Sequence, residues 1–205
     1  MKRQDIIIRE LANGNQLSLT TFEFEGSDQN APSLFIQAGI HGAEVQGNAV
    51  IYDLMSYFEK NPPLGKVTLL PCANPYGMNF KVGEFTFGRY EPTSGRNYNR
   101  HYAQLEQKDK EQIKKFAQEN METPWEEVRA SFKEGFIQWL DKKLLTINHE
   151  GADFTEALNI TSHRLAAAHD IFLDLHTASS ASEHIYCPKH CLEGGKYFSI
   201  PYFIV

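Results

Sequence analysis

The chain has 205 residues, enough for one ordinary domain with a sizeable core. Its 41% apolar and 22% charged residues mark it as globular rather than disordered or fibrous. A formal net charge of -6, with no long basic run, argues against nucleic acid as the main partner.

The apolar stretch Ile6-Ile7-Ile8 is too short for a signal-peptide core or a membrane span. Three cysteines (Cys72, Cys187, Cys191) form an odd set without the look of a disulfide framework. The expectation is a soluble cytoplasmic protein.

In chain order, Asp5 to Arg9 and the alternating Leu17 to Phe24 read as strands, joined at Asn13-Gly14-Asn15 into a hairpin. Ser33 to Ala38 is a short buried strand ended by Gly39, and a helix is predicted from about Glu44 to Lys60, before Asn61-Pro62-Pro63. Val67 to Cys72 is a second buried strand, stopped by the turn residues Asn74-Pro75-Tyr76-Gly77. Strand, helix, strand in this order is a βαβ unit, so the fold class is α/β, with a mixed, largely parallel sheet flanked by helices. Residues 83 to 95 read as a long ordered loop. Helices are expected over Gln104–Asn120, Pro124–Leu145 and Phe154–His169, a helical insertion spanning about 103–169. Asp170 to Leu175 reads as a central strand and His184 to Cys187 as a further one. The closing segment Tyr197 to Val205 is strongly apolar, which predicts either a strand docked at the end of the sheet or a domain truncated at its C-terminal side.

Chemistry concentrates at strand ends. His41 follows one buried strand, and Glu44 lies three residues on, with Gly39 and Gly42 permitting a tight backbone. An imidazole and a carboxylate so spaced are two of the three ligands of a His₂Glu zinc site, and His176, just past Asp174-Leu175, supplies the third. Alone, a His-x-x-Glu pair is commonly an exposed helix start whose carboxylate meets the dipole. The polar loop Gly95-Arg96-Asn97-Tyr98-Asn99-Arg100 raises the metal reading, because Asn99 and Arg100 suit a carboxylate-bearing substrate. Arg89 and Arg96 are candidates for an arginine that polarises a scissile carbonyl. His184, Cys187, His190 and Cys191 could suggest a zinc knuckle, but the matching second pair is missing.

Gly39-Ile40-His41-Gly42-Ala43-Glu44, Asn74-Pro75, Asn99-Arg100 and Asp174-Leu175-His176-Thr177 together resemble the succinylglutamate desuccinylase/aspartoacylase family, which has a zinc-carboxypeptidase-like fold. The resemblance implies zinc on His41, Glu44 and His176, and substrate carboxylate on Asn99 and Arg100. It also implies an arginine ahead of the Asn-Arg pair, a place that Arg89 matches loosely. Family members more often carry Asp-Leu-Asn-Arg where this chain has Asn97-Tyr98-Asn99-Arg100. The implied reaction is zinc-dependent hydrolysis of the amide of a small N-acyl amino acid. A metallocarboxypeptidase acting on peptides is the alternative from the same ligands. The family's general base is a glutamate several dozen residues after the last ligand, a place beyond Val205; Glu183 lies too close to His176 to take it. A metal-binding fragment without activity is therefore a third reading. Asp174, two residues from His176 on a strand, is a candidate to orient that ligand.

Overall fold

The computed structural model describes residues 1–86, 88–100, 102–150, 154–179 and 182–205. The alternating N-terminal stretch forms β1 (Lys2–Glu10) and β2 (Gln16–Phe24), an antiparallel hairpin with a register shift between Ile7 and Arg9. Its turn is built as the sequence suggests: Gly14 takes φ +82°, and Asn13 Oδ1 accepts from the Asn15 amide at 3.0 Å. Next come β3 (Leu34–Ala38), α1 (Gln46–Lys60) and β4 (Val67–Leu70), the expected βαβ unit.

One sheet holds five strands in the order β1-β2-β4-β3-β7, where β7 is Ile171–Leu175. β3 pairs in parallel with both β4 and β7, whereas β2 runs antiparallel to β1 and β4. Four strands therefore point one way and β2 the other, the expected mixed, largely parallel arrangement. Because β3 alternates, Phe35 and Gln37 face one layer while Ile36 and Ala38 face the other. Leu54, Met55 and Phe58 of α1 cover the second face with Phe24, Val67 and Leu69. The first face is covered by α4 (Trp125–Glu150) and α5 (Phe154–Ala167), whose Leu140, Leu158 and Ile160 are fully buried with Phe35 and Leu70. α3 (Gln107–Glu119) precedes them, started by reciprocal capping between Glu106 and Asp109.

Several expectations are corrected. β7 is an edge strand among the described residues, not a central one, because it pairs with β3 alone, and Ile171 and Phe172 stay exposed. α1 begins at Gln46, so Glu44 precedes the helix; the Glu44 amide bonds to His41 O at 3.0 Å in a turn of its own. The stretch 74–77 is more than a turn, since Pro75–Asn79 forms the short helix α2, capped by the Asn74 side chain. The loop expected at 83–95 carries half of a small hairpin, β5 (Lys81–Val82) with β6 (Phe85–Thr86), and a bridge between Tyr90 and Asn97. The closing apolar segment holds β9 (Tyr202–Ile204), which pairs in parallel with β8 (His184–Tyr186) in a separate two-stranded sheet instead of joining the main one.

β3, β4 and β7 are parallel, so their C-terminal ends share one edge of the sheet. The segments that leave them carry His41, Asn74 and His176.

Candidate metal centre

His41 is set by backbone packing. Gly39 takes φ +72°, which turns the chain sharply off β3. Gly42 then donates its amide to Gly88 O at 2.7 Å. A Cβ on Gly42 would lie 2.1 Å from the Gly77 carbonyl carbon, and one on Gly88 2.4 Å from Gly77 O, so three glycines lie backbone against backbone. That contact clamps the His41 turn between α2 and the strand-like arm carrying Arg89. Asn74, fully buried, closes it by donating to Ile40 O at 3.0 Å while accepting from the Gly77 amide at 2.8 Å.

Around this turn, ligand atoms of His41, Glu44 and His176 all lie within 4.8 Å of one another, the one such group among the described residues. Glu44 bridges the histidines: Oε1 lies 2.9 Å from His41 Nδ1, and Oε2 lies 2.9 Å from His176 Nδ1. The far ring nitrogens are both held. His41 Nε2 lies 3.0 Å from Asn97 Oδ1, an oxygen identified by also accepting the Asn99 amide at 2.9 Å. His176 Nε2 lies 2.9 Å from Asp174 Oδ2. With a proton on each Nε2 donated outward, a neutral ring would turn its Nδ1 lone pair inward. Two imidazole lone pairs then face two carboxylate oxygens, an arrangement that calls for positive charge between them. Protons on the rings or one metal ion would supply it. The donor set, two neutral nitrogens and one carboxylate with second partners on both rings, fits zinc.

The electrostatics agree with shared charge. Burial pushes the Glu44 carboxyl up, but the Thr177 amide at 3.0 Å, the His176 hydrogen bond and the two imidazoles outweigh it and hold Glu44 low. For His176 the Asp174 hydrogen bond dominates over burial and, with Glu44, raises the ring to about 8. Glu44 lies off the helix start, so its carboxylate serves this cluster and not the dipole of α1.

Three other candidates reach the cluster's rim. Arg89 Nη1 donates to Glu44 Oε1 at 3.1 Å and lies 3.4 Å from His41 Nδ1, covering the group from the solvent side. Asn99 Nδ2 comes within 3.4 Å of His176 Nε2, and Arg100, exposed, donates to Asn99 O at 2.6 Å. Arg96 lies exposed on the outer turn of the same loop, where its carbonyl accepts from the Glu91 amide. Glu183 is exposed just ahead of β8. His184, Cys187, His190 and Cys191 do not gather into a metal group among the described residues, and all three cysteines are free. Two contributors escaped the sequence reading. Asn97 belongs to the polar loop and to the departure from the family pattern without an assigned role, and its spacing of two from Asn99 is the available signal. Tyr102, which donates to Asn99 Oδ1 at 2.5 Å, carried none.

The loop also has its own brace. Burial raises the Glu91 carboxyl, but hydrogen bonds from the hydroxyl and amide groups of Thr93 and Ser94 bring it down to about 2.

Residues 30–135 match the family profile of the succinylglutamate desuccinylase/aspartoacylase catalytic domain, a span that includes His41, Glu44, Arg89, Asn99 and Arg100. A solved structure of a succinylglutamate desuccinylase/aspartoacylase family protein from Shewanella amazonensis is 38% identical, with a TM-score of 0.88 over 99% of this chain. The chain belongs to the succinylglutamate desuccinylase/aspartoacylase family. A second family structure, from Shewanella frigidimarina, is 36% identical with a TM-score of 0.88 over 98% of this chain. An aspartoacylase family protein from Mesorhizobium loti shares the fold at 20% identity, with a TM-score of 0.60 and 98% of this chain covered. The chain spans about half of each of these proteins, 54%, 53% and 52%. A search of curated proteins finds no match. Among the described residues no helix is long and apolar enough to cross a membrane.

Proposed function

We propose that this chain carries the metal-binding part of a zinc-dependent amidohydrolase that acts on small N-acyl amino acids. One observation carries the reading: two inward-facing Nδ1 atoms and the Glu44 carboxylate converge while Asn97 and Asp174 hold the rings from behind. His41, Glu44 and His176 would hold the ion. When bound, zinc lowers the pKa of its water and polarises the substrate carbonyl.

The chain's own residues then have separable tasks. Asn99 and Arg100 anchor the substrate carboxylate, with Tyr102 fixing the Asn99 amide. Arg89, already at the rim, donates to the carbonyl oxygen as negative charge develops there. Free cysteines and a modest acidic charge suit the cytoplasm.

Metal analysis tests the site: one equivalent of zinc is expected, and His41→Ala or His176→Ala abolishes it. Unchanged zinc after both substitutions would refute the reading. Activity is tested with N-acetyl- and N-succinyl-amino acids beside short peptides. Release of C-terminal residues from peptides alone would replace the deacylase with a carboxypeptidase. Arg89→Ala is expected to keep the zinc and lower kcat by roughly a hundredfold.

A further inference from the structure

Gln37 is the one side chain of β3 whose burial has no packing explanation. It is fully buried, polar, and points to the face covered by α5. Ser162 of α5, 1% exposed, donates its hydroxyl to Gln37 Oε1. The other end of the amide, Nε2, is buried without a hydrogen-bond partner. A buried amide N–H without an acceptor is destabilising, so the position calls for a complementary group.

The complementary group is its neighbour. In the parallel ladder Gln37 is in register with Asp174, and paired residues in such a ladder share a face. Phe35 and Phe172, two residues earlier on each strand, demonstrate it by stacking at 5.6 Å. Asp174 Oδ2 accepts from His176, while Asp174 Oδ1 is buried with no partner. A donor lacking an acceptor therefore occupies the ladder position paired with an acceptor lacking a donor, on the same face, with no hydrogen bond between them in the structure. The orientation of the amide follows too. If Nε2 were turned to Ser162, the amide oxygen would face the Asp174 carboxylate and repel it; the hydroxyl serves either orientation, so the carboxylate favours the one that presents N–H groups to Asp174.

We propose that Gln37 is a positioning residue of the metal centre, the second member of a line Ser162–Gln37–Asp174–His176 that runs from α5 along the covered face of the sheet to a ligand ring, with the Gln37 amide turned to donate to Asp174. The proposal rests on the zinc reading above. Gln37 touches neither ion nor substrate. It fixes the rotation of the Asp174 carboxylate, and through it the direction of the His176 Nδ1 lone pair. β7 is an edge strand, so its paired neighbour β3 is the element available to hold Asp174 from the sheet.

The experiment measures zinc affinity by chelator competition, with thermal unfolding of each metal-free protein as the control. Gln37→Met keeps length and apolar packing but removes the donor, and is expected to weaken zinc about tenfold. In an Asp174→Asn background the same change is expected to weaken zinc less than twofold, because the line is already cut. A role in packing alone would give equal losses in both backgrounds, and that result overturns the proposal, as does a folded Gln37→Met that binds zinc as tightly as the unsubstituted chain. If Gln37→Met does not fold, Ser162→Ala serves instead, with an expected loss of two- to fivefold that also vanishes in Asp174→Asn; its persistence there overturns the proposal. Cobalt-loaded Gln37→Met should show a shifted visible band. An unsubstituted chain that binds no zinc overturns the metal reading and this proposal together, whereas zinc binding indifferent to Gln37 overturns this one alone.

Discussion

The two histidines of the cluster are held by opposite means. His41 sits 3% exposed in a turn wedged by glycine backbones, where the surrounding main chain leaves it one place to be. His176 follows an edge strand, about a third of its side chain is exposed, and hydrogen bonds to Asp174 and Glu44 define its position. The comparison teaches that one ligand is placed by shape and the other by charge. Damage to shape should therefore cost folding, and damage to charge should cost metal.

The largest effect should follow from Gly42→Ala. Its methyl group would overlap the Gly77 backbone, where neither partner can yield, so unfolding free energy should fall by about 3 kcal/mol in denaturant titration. A variant as stable as the parent would remove the distinction. On the other side, Asp174→Asn should leave the unfolding midpoint within about 1 kcal/mol yet weaken zinc about thirtyfold, by chelator competition. Asn97→Ala, behind the rigid histidine, should weaken it less, about tenfold. Equal losses would mean that backbone wedging contributes nothing to the placement of His41.

The smallest effects sharpen the contrast along β7, whose two ends titrate with opposite signs. At its start, burial holds His169 below its ordinary 6.5, with Leu165 O and the Thr68 hydroxyl as partners. The unfolded chain takes up a proton there that the folded chain refuses, so stability falls as pH drops through about 6.5. Beside it, desolvation raises Asp170, but hydrogen bonds from Ser33 and the Lys133 charge hold it well below 3.8. That stability is present above 3.8 and disappears as pH falls further. His176, raised to about 8, runs the other way: it adds stability below 6.5 and loses it as pH rises through about 8. In metal-free melts at graded pH, His169→Phe should flatten the acid loss and His176→Ala the alkaline one. Slopes of the same sign would contradict the assignment.

Much of this was readable in residues. The β1–β2 hairpin, β3, β4 and α1 follow from alternation, apolar runs and turn chemistry, and the ligand trio follows from histidines placed just past strand ends. What escaped depended on neighbours distant in sequence. An apolar run such as Ile171-Phe172-Leu173 looks alike whether paired on one side or two, so the edge position of β7 was illegible. The start of α1 at Gln46 was equally hidden, because no Ser, Thr, Asp or Asn caps it and Glu44 is claimed by histidines from elsewhere. Gln37 passed as an ordinary member of a buried strand, since its meaning lies in register with a residue 137 positions on.

The edge of β7 also bears on handling the protein. Among the described residues, one side of Ile171–Leu175 offers its amides and carbonyls to no other strand, with Ile171 and Phe172 exposed beside them. Such an edge is a template for strand addition, and the carboxylate at its start, Asp170, is already paired with Arg129 and Lys133 and so offers little repulsion to a second edge. Concentrated samples of this chain should therefore be lost to edge-to-edge association, a colloidal failure distinct from unfolding.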